Sequence, residues 1–487
     1  MANEHGIKIT ESPTTMPMPT QAANGAVVVF GTAPVNMAAD PSASVNTPIL
    51  CTTYDEAVEA FGYSDDFLNY TICASIYAHF AKEGSGPVIF VNVLDPDLHT
   101  KTLAETTVKV SGKQATIEQE GVLKDGLVVK NDTATLTKDK DYTLSFNADG
   151  TLVITLAGSV ASAATELKVS GKQLDPSIIT EDTIIGGYDT ETKKRTGIEV
   201  LSDVYPKTGM APSVILAPYW SRKPNVAKIL QLKAEKINGV FRAFALLDMD
   251  TSSTRTYTEV GTGKDAQGAT DSDAYTVWPM VVSGDHKAPI PYSAALAAAM
   301  QSCDIDHESV PSRSPSNRTI SWVTGTVLED GTPVHLDNEE ATEIEGYGVG
   351  TIYRWAGAFR IWGDYTCAYP VETDAKDYWI NARRMFSWQN NSFATLYFPQ
   401  LDGNISYKLI ESIVDSENIR IAGYVPDHLA AGHIEFRAKD NPDDQITAGK
   451  IKFKQYLSPY VPAKVIENDM EYDLESMIKS LFGSQEA

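Results

Sequence analysis

The chain has 487 residues, 43% of them apolar and 21% charged, close to ordinary globular usage, so disorder along its whole length is excluded. Its 40 basic and 64 acidic side chains leave a net charge of −24, which disfavours bulk electrostatic binding to nucleic acid or docking on an anionic membrane. The length corresponds to about three domains. Four cysteines (Cys51, Cys73, Cys303, Cys367), none in a C-x-x-C pair, are too sparse for a disulfide scaffold and read as free thiols in a reducing compartment. No apolar run approaches the roughly 20 residues of a membrane span, and no signal-peptide pattern is visible, so a soluble protein made in a cytoplasm is expected.

Residues 1–24 read as an N-terminal arm. In Gly6–Thr10, Ile7 and Ile9 alternate with Lys8 and Thr10, the period of a half-buried strand, and a Pro/Thr-rich linker follows. Such a strand either pairs locally at a frayed terminus or adds to another molecule's sheet. Residues 25–96 give strand, helix, helix, strand: Ala26–Gly31, a helix opened by Thr53 and Glu56 in capping-box spacing, a longer helix over Phe67–Gly84, and Pro87–Leu94. Composition then changes. Between Thr100 and Gly187 the only aromatics are Tyr142 and Phe146, and alternating runs are joined by turn signals such as Asn147–Gly150. Residues 97–187 are therefore predicted to be a β-sandwich inserted on the outer surface. The near-repeat at Lys109–Gln114 and Lys168–Gln173 is expected to be coincident strand-turn chemistry.

Residues 188–350 return to α/β alternation: strands at Ser213–Pro218, Val240–Asp248 and Ala274–Val282, and helices at Pro224–Gly239 and Pro291–Asp304. This implies a mostly parallel sheet. Residues 351–487 form an α+β C-terminal domain. It contains an amphipathic segment at Thr373–Met385, two extended runs, and a closing helix with Leu474, Met477, Ile478, Leu481 and Phe482 on one stripe.

The chain contains neither a G-x-x-x-x-G-K-[ST] loop nor a G-x-S-x-G elbow. Gly346, Gly348 and Gly350 have the wrong spacing for a dinucleotide loop and read as a flexible turn. Asp248 and Asp250 stand at the carboxyl end of a predicted strand, where they either hold a divalent metal for a hydrolase or cap the next turn. His428 and His433 are five apart, where a helical zinc pair needs three or four. The positive signal is for strand exchange. Lys450, Lys452 and Lys454 alternate with Ile451 and Phe453, an edge strand that is either a solvated guard or a template for a neighbour. Ile451, Phe453 and Leu457 share one face, and Val461 and Val465 stand on a second extended run around the Pro459–Pro462 turn, expected to pair with the first on one sheet. Together with Gly6, Ile7, Lys8, Ile9 and Thr10 these are the candidate inter-subunit residues.

The segments Gly357–Pro370 (with Phe359-Arg360-Ile361-Trp362-Gly363 and Thr366-Cys367) and Ile446–Tyr472 resemble tail sheath proteins of contractile-tailed phages and R-type bacteriocins. So do His5–Pro13 and Asn46–Gly62. The resemblance spans residues 1–95 and 188–487 and misses the insert. It departs at Tyr365, where relatives often carry Arg, which leaves any ion pair there open. The resemblance implies a subtilisin-like middle domain without a triad, and stacked hexameric rings around an inner tube knit by strand-adding arms. It also implies contraction that drives the tube through an envelope. Expected partners are further copies of the chain, a tail tube protein, and baseplate and tail terminator proteins, in a virion tail or bacteriocin particle assembled in the host cytoplasm. No catalysis, cofactor, metal, nucleic acid or membrane insertion is expected. The competing reading is a metal-dependent α/β hydrolase using Asp248 and Asp250.

Overall fold

A computed structural model describes residues 25–482, apart from 148, 149, 159, 161–163 and 287. The chain enters through Ala26–Gly31 (β1), Ile49–Cys51 (β2) and Val88–Asn92 (β3). Residues 100–174 then form seven strands: Thr100–Lys109 (β4), Gln114–Ile117 (β5), Val128–Asn131 (β6), Ala134–Thr135 (β7), Tyr142–Phe146 (β8), Leu152–Leu156 (β9) and Glu166–Leu174 (β10). The first sheet resumes with Pro212–Leu216 (β11), Phe244–Asp248 (β12) and Ala274–Val277 (β13). Met280–Ser283 (β14), Val323–Val327 (β15) and Pro333–Val334 (β16) make a small sheet beside it, and Val349–Trp355 (β17) and Ala358–Trp362 (β18) complete it.

The large sheet runs β18-β17-β13-β12-β11-β1-β3-β2. Its six inner strands are parallel, and the antiparallel β2 and β18 form its edges. β1, β3 and β12 are short apolar runs buried along their length, as a parallel sheet covered on both faces demands. The covering helices include Tyr54–Phe61 (α1), Thr71–Ile76 (α2), Pro224–Glu235 (α3), Val260–Gln267 (α4) and Tyr292–Ile305 (α5). In α5 the alanines 294, 295 and 297–299 are fully buried, and their small side chains let the helix lie close to the strands.

Several sequence expectations shift for identifiable reasons. The helix expected over Phe67–Gly84 begins only at Thr71, where the Thr32 hydroxyl accepts from the Thr71 amide at 3.2 Å. The run Ala274–Val282 is two strands in two sheets, because Pro279 has no N–H to continue the ladder. The strand expected over Val240–Asp248 is confined to Phe244–Asp248. Of the three glycines expected in a flexible turn, Gly346 is open, whereas a Cβ on Gly348 would stand 2.6 Å from the Tyr369 carbonyl and one on Gly350, inside β17, 2.2 Å from the Tyr275 hydroxyl. The expected boundary at residue 350 falls where β17 starts, so β17 and β18, assigned to the C-terminal domain, belong to the large sheet.

Strands β4–β10 form a four-stranded sheet, β4-β10-β6-β7, and a three-stranded sheet, β5-β9-β8. Leu103, Val129, Leu152, Ile154, Leu167 and Val169 form a core between them, separate from that of the large sheet. β4 and β10 pair along their lengths, from Leu174 opposite Thr100 to Glu166 opposite Lys109. The two halves of the near-repeat differ. Lys109–Gln114 turns from β4 into β5, whereas Lys168–Gln173 lies inside β10 across an irregularity at Val169–Gly171.

Beyond the sheet come Asn338–Gly346 (α6, before β17), Ile380–Tyr397 (α7), Tyr407–Ala422 (α8), Leu429–Phe436 (β19), Phe453–Pro459 (β20) and Leu474–Phe482 (α9). α7 is 18 residues long and begins inside the segment expected at Thr373–Met385. Because the two cores are separate, Ile154→Ala is expected to destabilise only the β4–β10 unit, by about 2–5 kcal/mol. Scanning calorimetry should show one transition lowered and the large-sheet transition unmoved.

Candidate inter-subunit site

β20 alternates as a half-buried strand does. Phe453, Gln455 and Leu457 are half-buried and Lys454, Tyr456 and Ser458 are exposed. On the inner face the Phe453 ring lies 5.6 Å from Phe436 and 6.5 Å from Phe393, and Leu457 packs on a small core of Val310, Met385, Ile421 and Leu429. On the outer face the Lys454 ammonium lies 5.5 Å from the centroid of the Tyr456 ring.

The partner of β20 is β19, paired antiparallel from Phe436 opposite Phe453 to Leu429 opposite Pro459. The second extended run was expected to supply that partner and does not. Val461 and Val465 are 61% and 75% exposed in a segment without strand, where Pro459 and Pro462 interrupt the supply of donors. The alternation in His433–Phe436 is the sequence signal for β19. Ile451 is half-buried just ahead of β20. Gly6, Ile7, Lys8, Ile9 and Thr10 lie outside the described residues. Among the described residues the sheet has only β19 and β20, so each strand keeps one unpaired edge.

Two strands alone are marginal in water. Here a buried carboxylate fixes them to the helices. Glu417 of α8 is fully buried and accepts from Arg420 Nε at 3.0 Å, Arg420 Nη2 at 2.6 Å, Tyr397 Oη at 3.1 Å and Gln455 Nε2 at 2.9 Å, and also from Gln389. Burial alone would raise its pKa. The hydrogen bonds and charge of Arg420, with those of Gln389 and Gln455, outweigh it and hold the group below the usual 4.5. α7 in turn is held to the large sheet. Arg383 grips Asp273 through Nε at 2.6 Å and Nη2 at 3.3 Å, and the Asn391 side chain bonds both the amide (2.8 Å) and the carbonyl (2.7 Å) of Arg242.

Both members of the acidic pair are engaged by neighbouring donors. Buried Asp248 accepts from the Tyr219 amide at 2.8 Å, the Ser293 amide at 2.8 Å and the Ser293 hydroxyl at 2.6 Å, which ties β12 to the first turn of α5. Burial raises its pKa against those bonds. Asp250 instead accepts from the Ser252 amide at 3.0 Å and hydroxyl at 2.7 Å and lies 3.4 Å from Arg222. His428 is buried against the Ser312 hydroxyl at 2.9 Å, while His433 stacks on Tyr456 at 4.7 Å. Among the described residues no group of three or more His, Cys, Asp or Glu side chains is arranged to hold a metal. The four cysteines are buried and free, and burial pushes the Cys51 and Cys73 thiols up to about 12. Tyr365 carries no charge. The cation beside it is Lys464, whose Nζ is 5.0 Å from its ring.

No family model matches the chain. The chain is nevertheless similar to contractile tail sheath proteins, the class its short motifs resemble. The chain is 25% identical over 484 residues to the tail sheath protein of Burkholderia phage BcepMu, covering 96% of each. It matches the sheath of an extracellular contractile injection system (PVC, contracted state) with a TM-score of 0.57 at 13% identity, over 98% of this chain and 99% of that one. It also matches a chain of the anti-feeding prophage baseplate with a TM-score of 0.56 at 14% identity, over 97% and 100%. These likenesses establish a mixed α/β multidomain fold shared with contractile sheaths.

Losing the Glu417 charge should loosen β19–β20. Since its folded pKa is depressed, its stabilisation is present above the unfolded value of about 4.5 and is lost as pH falls through the lower folded value. Hydrogen exchange of the β20 amides should therefore accelerate below that pH in the parent chain, and already at neutral pH in Glu417→Gln.

Proposed function

We propose that this chain is the structural subunit of a contractile tail sheath, polymerising as stacked six-membered rings around an inner tube and shortening to drive that tube through a target envelope. The sheet of β11, β12 and β13 with its helices is read as a subtilisin-like domain without a triad, and residues 97–187 as an outward-facing insert. The tube, baseplate and tail terminator are read as its partners beside further copies of itself, in a particle assembled in the bacterial cytoplasm. The similarity to a phage tail sheath protein along 96% of both chains supports the class.

The observation that carries the mechanism is the unpaired edge of the β19–β20 sheet on its buried anchor. A neighbour's Gly6–Thr10 strand would complete it. Each added backbone hydrogen bond would contribute about 0.5–1.5 kcal/mol net. Burial of Ile7 and Ile9 would add about 1.5–3 kcal/mol each. One joint is then modest, and a cylinder of them forms a mesh that can move without parting.

Deleting residues 1–20 should leave a folded monomer that builds no cylinders by negative-stain microscopy; cylinders of normal length from the truncated chain would refute the arm. Phe453→Asp should also block assembly, with a circular dichroism melt to show the monomer folded, whereas Lys452→Ser, exposed ahead of the strand, should assemble normally. The hydrolase reading predicts stoichiometric micromolar Mg²⁺ or Mn²⁺ binding; calorimetry is expected to detect none.

A further inference from the structure

After β20 the chain runs over residues 460–473 without regular structure and then forms α9. The Asn381 side-chain amide donates to the Tyr460 carbonyl at 2.8 Å. Beyond that point, among the described residues, hydrogen bonds and ion pairs from 463–482 to the rest of the chain come from Lys464 alone. The apolar side chains that follow gain little from the body: Val465 is 75% exposed, Ile466 87% and Met470 84%.

Lys464 enters a formed site. Glu345, at the end of α6, and Asp364, just after β18, are 3% and 5% exposed. Glu345 Oε1 accepts from the Asp364 amide at 2.9 Å, and the Ser314 hydroxyl donates to Asp364. The Lys464 ammonium pairs with Glu345 and lies 3.4 Å from Asp364 Oδ2. It also lies 5.9 Å from the Trp362 ring and 5.0 Å from that of Tyr365, itself stacked on Tyr369 at 4.0 Å. Among the described residues no other cation is within ion-pair distance of either carboxylate. Without the lysine, two like charges would face each other where water reaches poorly, a costly arrangement.

We propose that Glu345, Asp364, Trp362 and Tyr365 form a lysine socket that roots the C-terminal arm, so that residues 465–482 pivot about Lys464. The socket is a property of the monomer. Its use rests on the sheath reading: a pull on the arm's far end would pass into α6 and β18 at the socket and would not be transmitted along the peptide into β20.

The test uses the full chain with nitroxide labels at Ser476→Cys and Glu339→Cys, two exposed positions; the four native thiols are buried and stay unlabelled. Lys464→Met should broaden the inter-label distance distribution and speed limited proteolysis within 465–482 about tenfold, the signature of a locally released segment. Lys464→Arg, which keeps the cation, should stay near the parent in both readouts. A Lys464→Met distribution as narrow as the parent's with unchanged cleavage would overturn the socket, as would equal release in Lys464→Arg. Failure of the parent to form cylinders would count against the sheath reading alone, because both readouts are made on the monomer.

Discussion

Helix α7 is gripped by charge on more than one side. Arg383 and Arg384 are nearly buried, and a buried guanidinium is tolerated only when its donors find acceptors. Arg383 finds Asp273 at the start of β13, and Arg384 finds Asp304 at the end of α5. Further along the helix, Gln389 joins the Glu417–Arg420 pair under β20. One helix therefore ties the position of the β19–β20 sheet to the strands of the large sheet. A force on that small sheet would reach the parallel strands through ion pairs whose separation is costly, which suits a part that moves as a body.

Much of the large sheet was legible in the sequence because its strands are short apolar runs bounded by Pro, Gly or Asp, and α1 carries its N-cap. Thr53 accepts from the Glu56 amide as the spacing implied, although Glu56 reaches back to Thr52 and not to Thr53 itself. What was not legible depends on tertiary partners. Thr32 sets the start of α2 from across the fold, and no local pattern encodes that. The pairing of β20 was misread because Val461–Val465 offers apolar residues at strand spacing, while the true partner, β19, has the less apolar sequence Leu-Ala-Ala-Gly-His-Ile-Glu-Phe. The Glu417 network was invisible for the same reason: its members are spread from Gln389 to Gln455.

The carboxyl ends of the parallel strands show how a buried carboxylate there can serve the fold. Asp248 stands where α/β folds commonly place ligand-binding groups. Its oxygens are spent on Tyr219 and Ser293, fastening a loop and a helix to the strand. A carboxylate so engaged stabilises its surroundings, here the junction of β12, the Tyr219 loop and α5.

The pairing of Leu174 with Thr100 brings the entry and exit of the β4–β10 unit side by side, and the Asp175 amide bonds the His99 carbonyl at 2.9 Å just outside it. To the large sheet, the whole unit is thus equivalent to a tight hairpin closed at its base. Its length and most of its interior are decoupled from the host fold, and a folded cargo whose own termini lie within one strand spacing would fit there without asking the host to stretch, provided it covers the core surface that Leu123 and Leu174 cover here. The junction is thus specified by two adjacent backbone positions and by the few residues of the unit that touch the host, Leu123 and Leu174 in the large-sheet core and the Val122 carbonyl that accepts from Asn36.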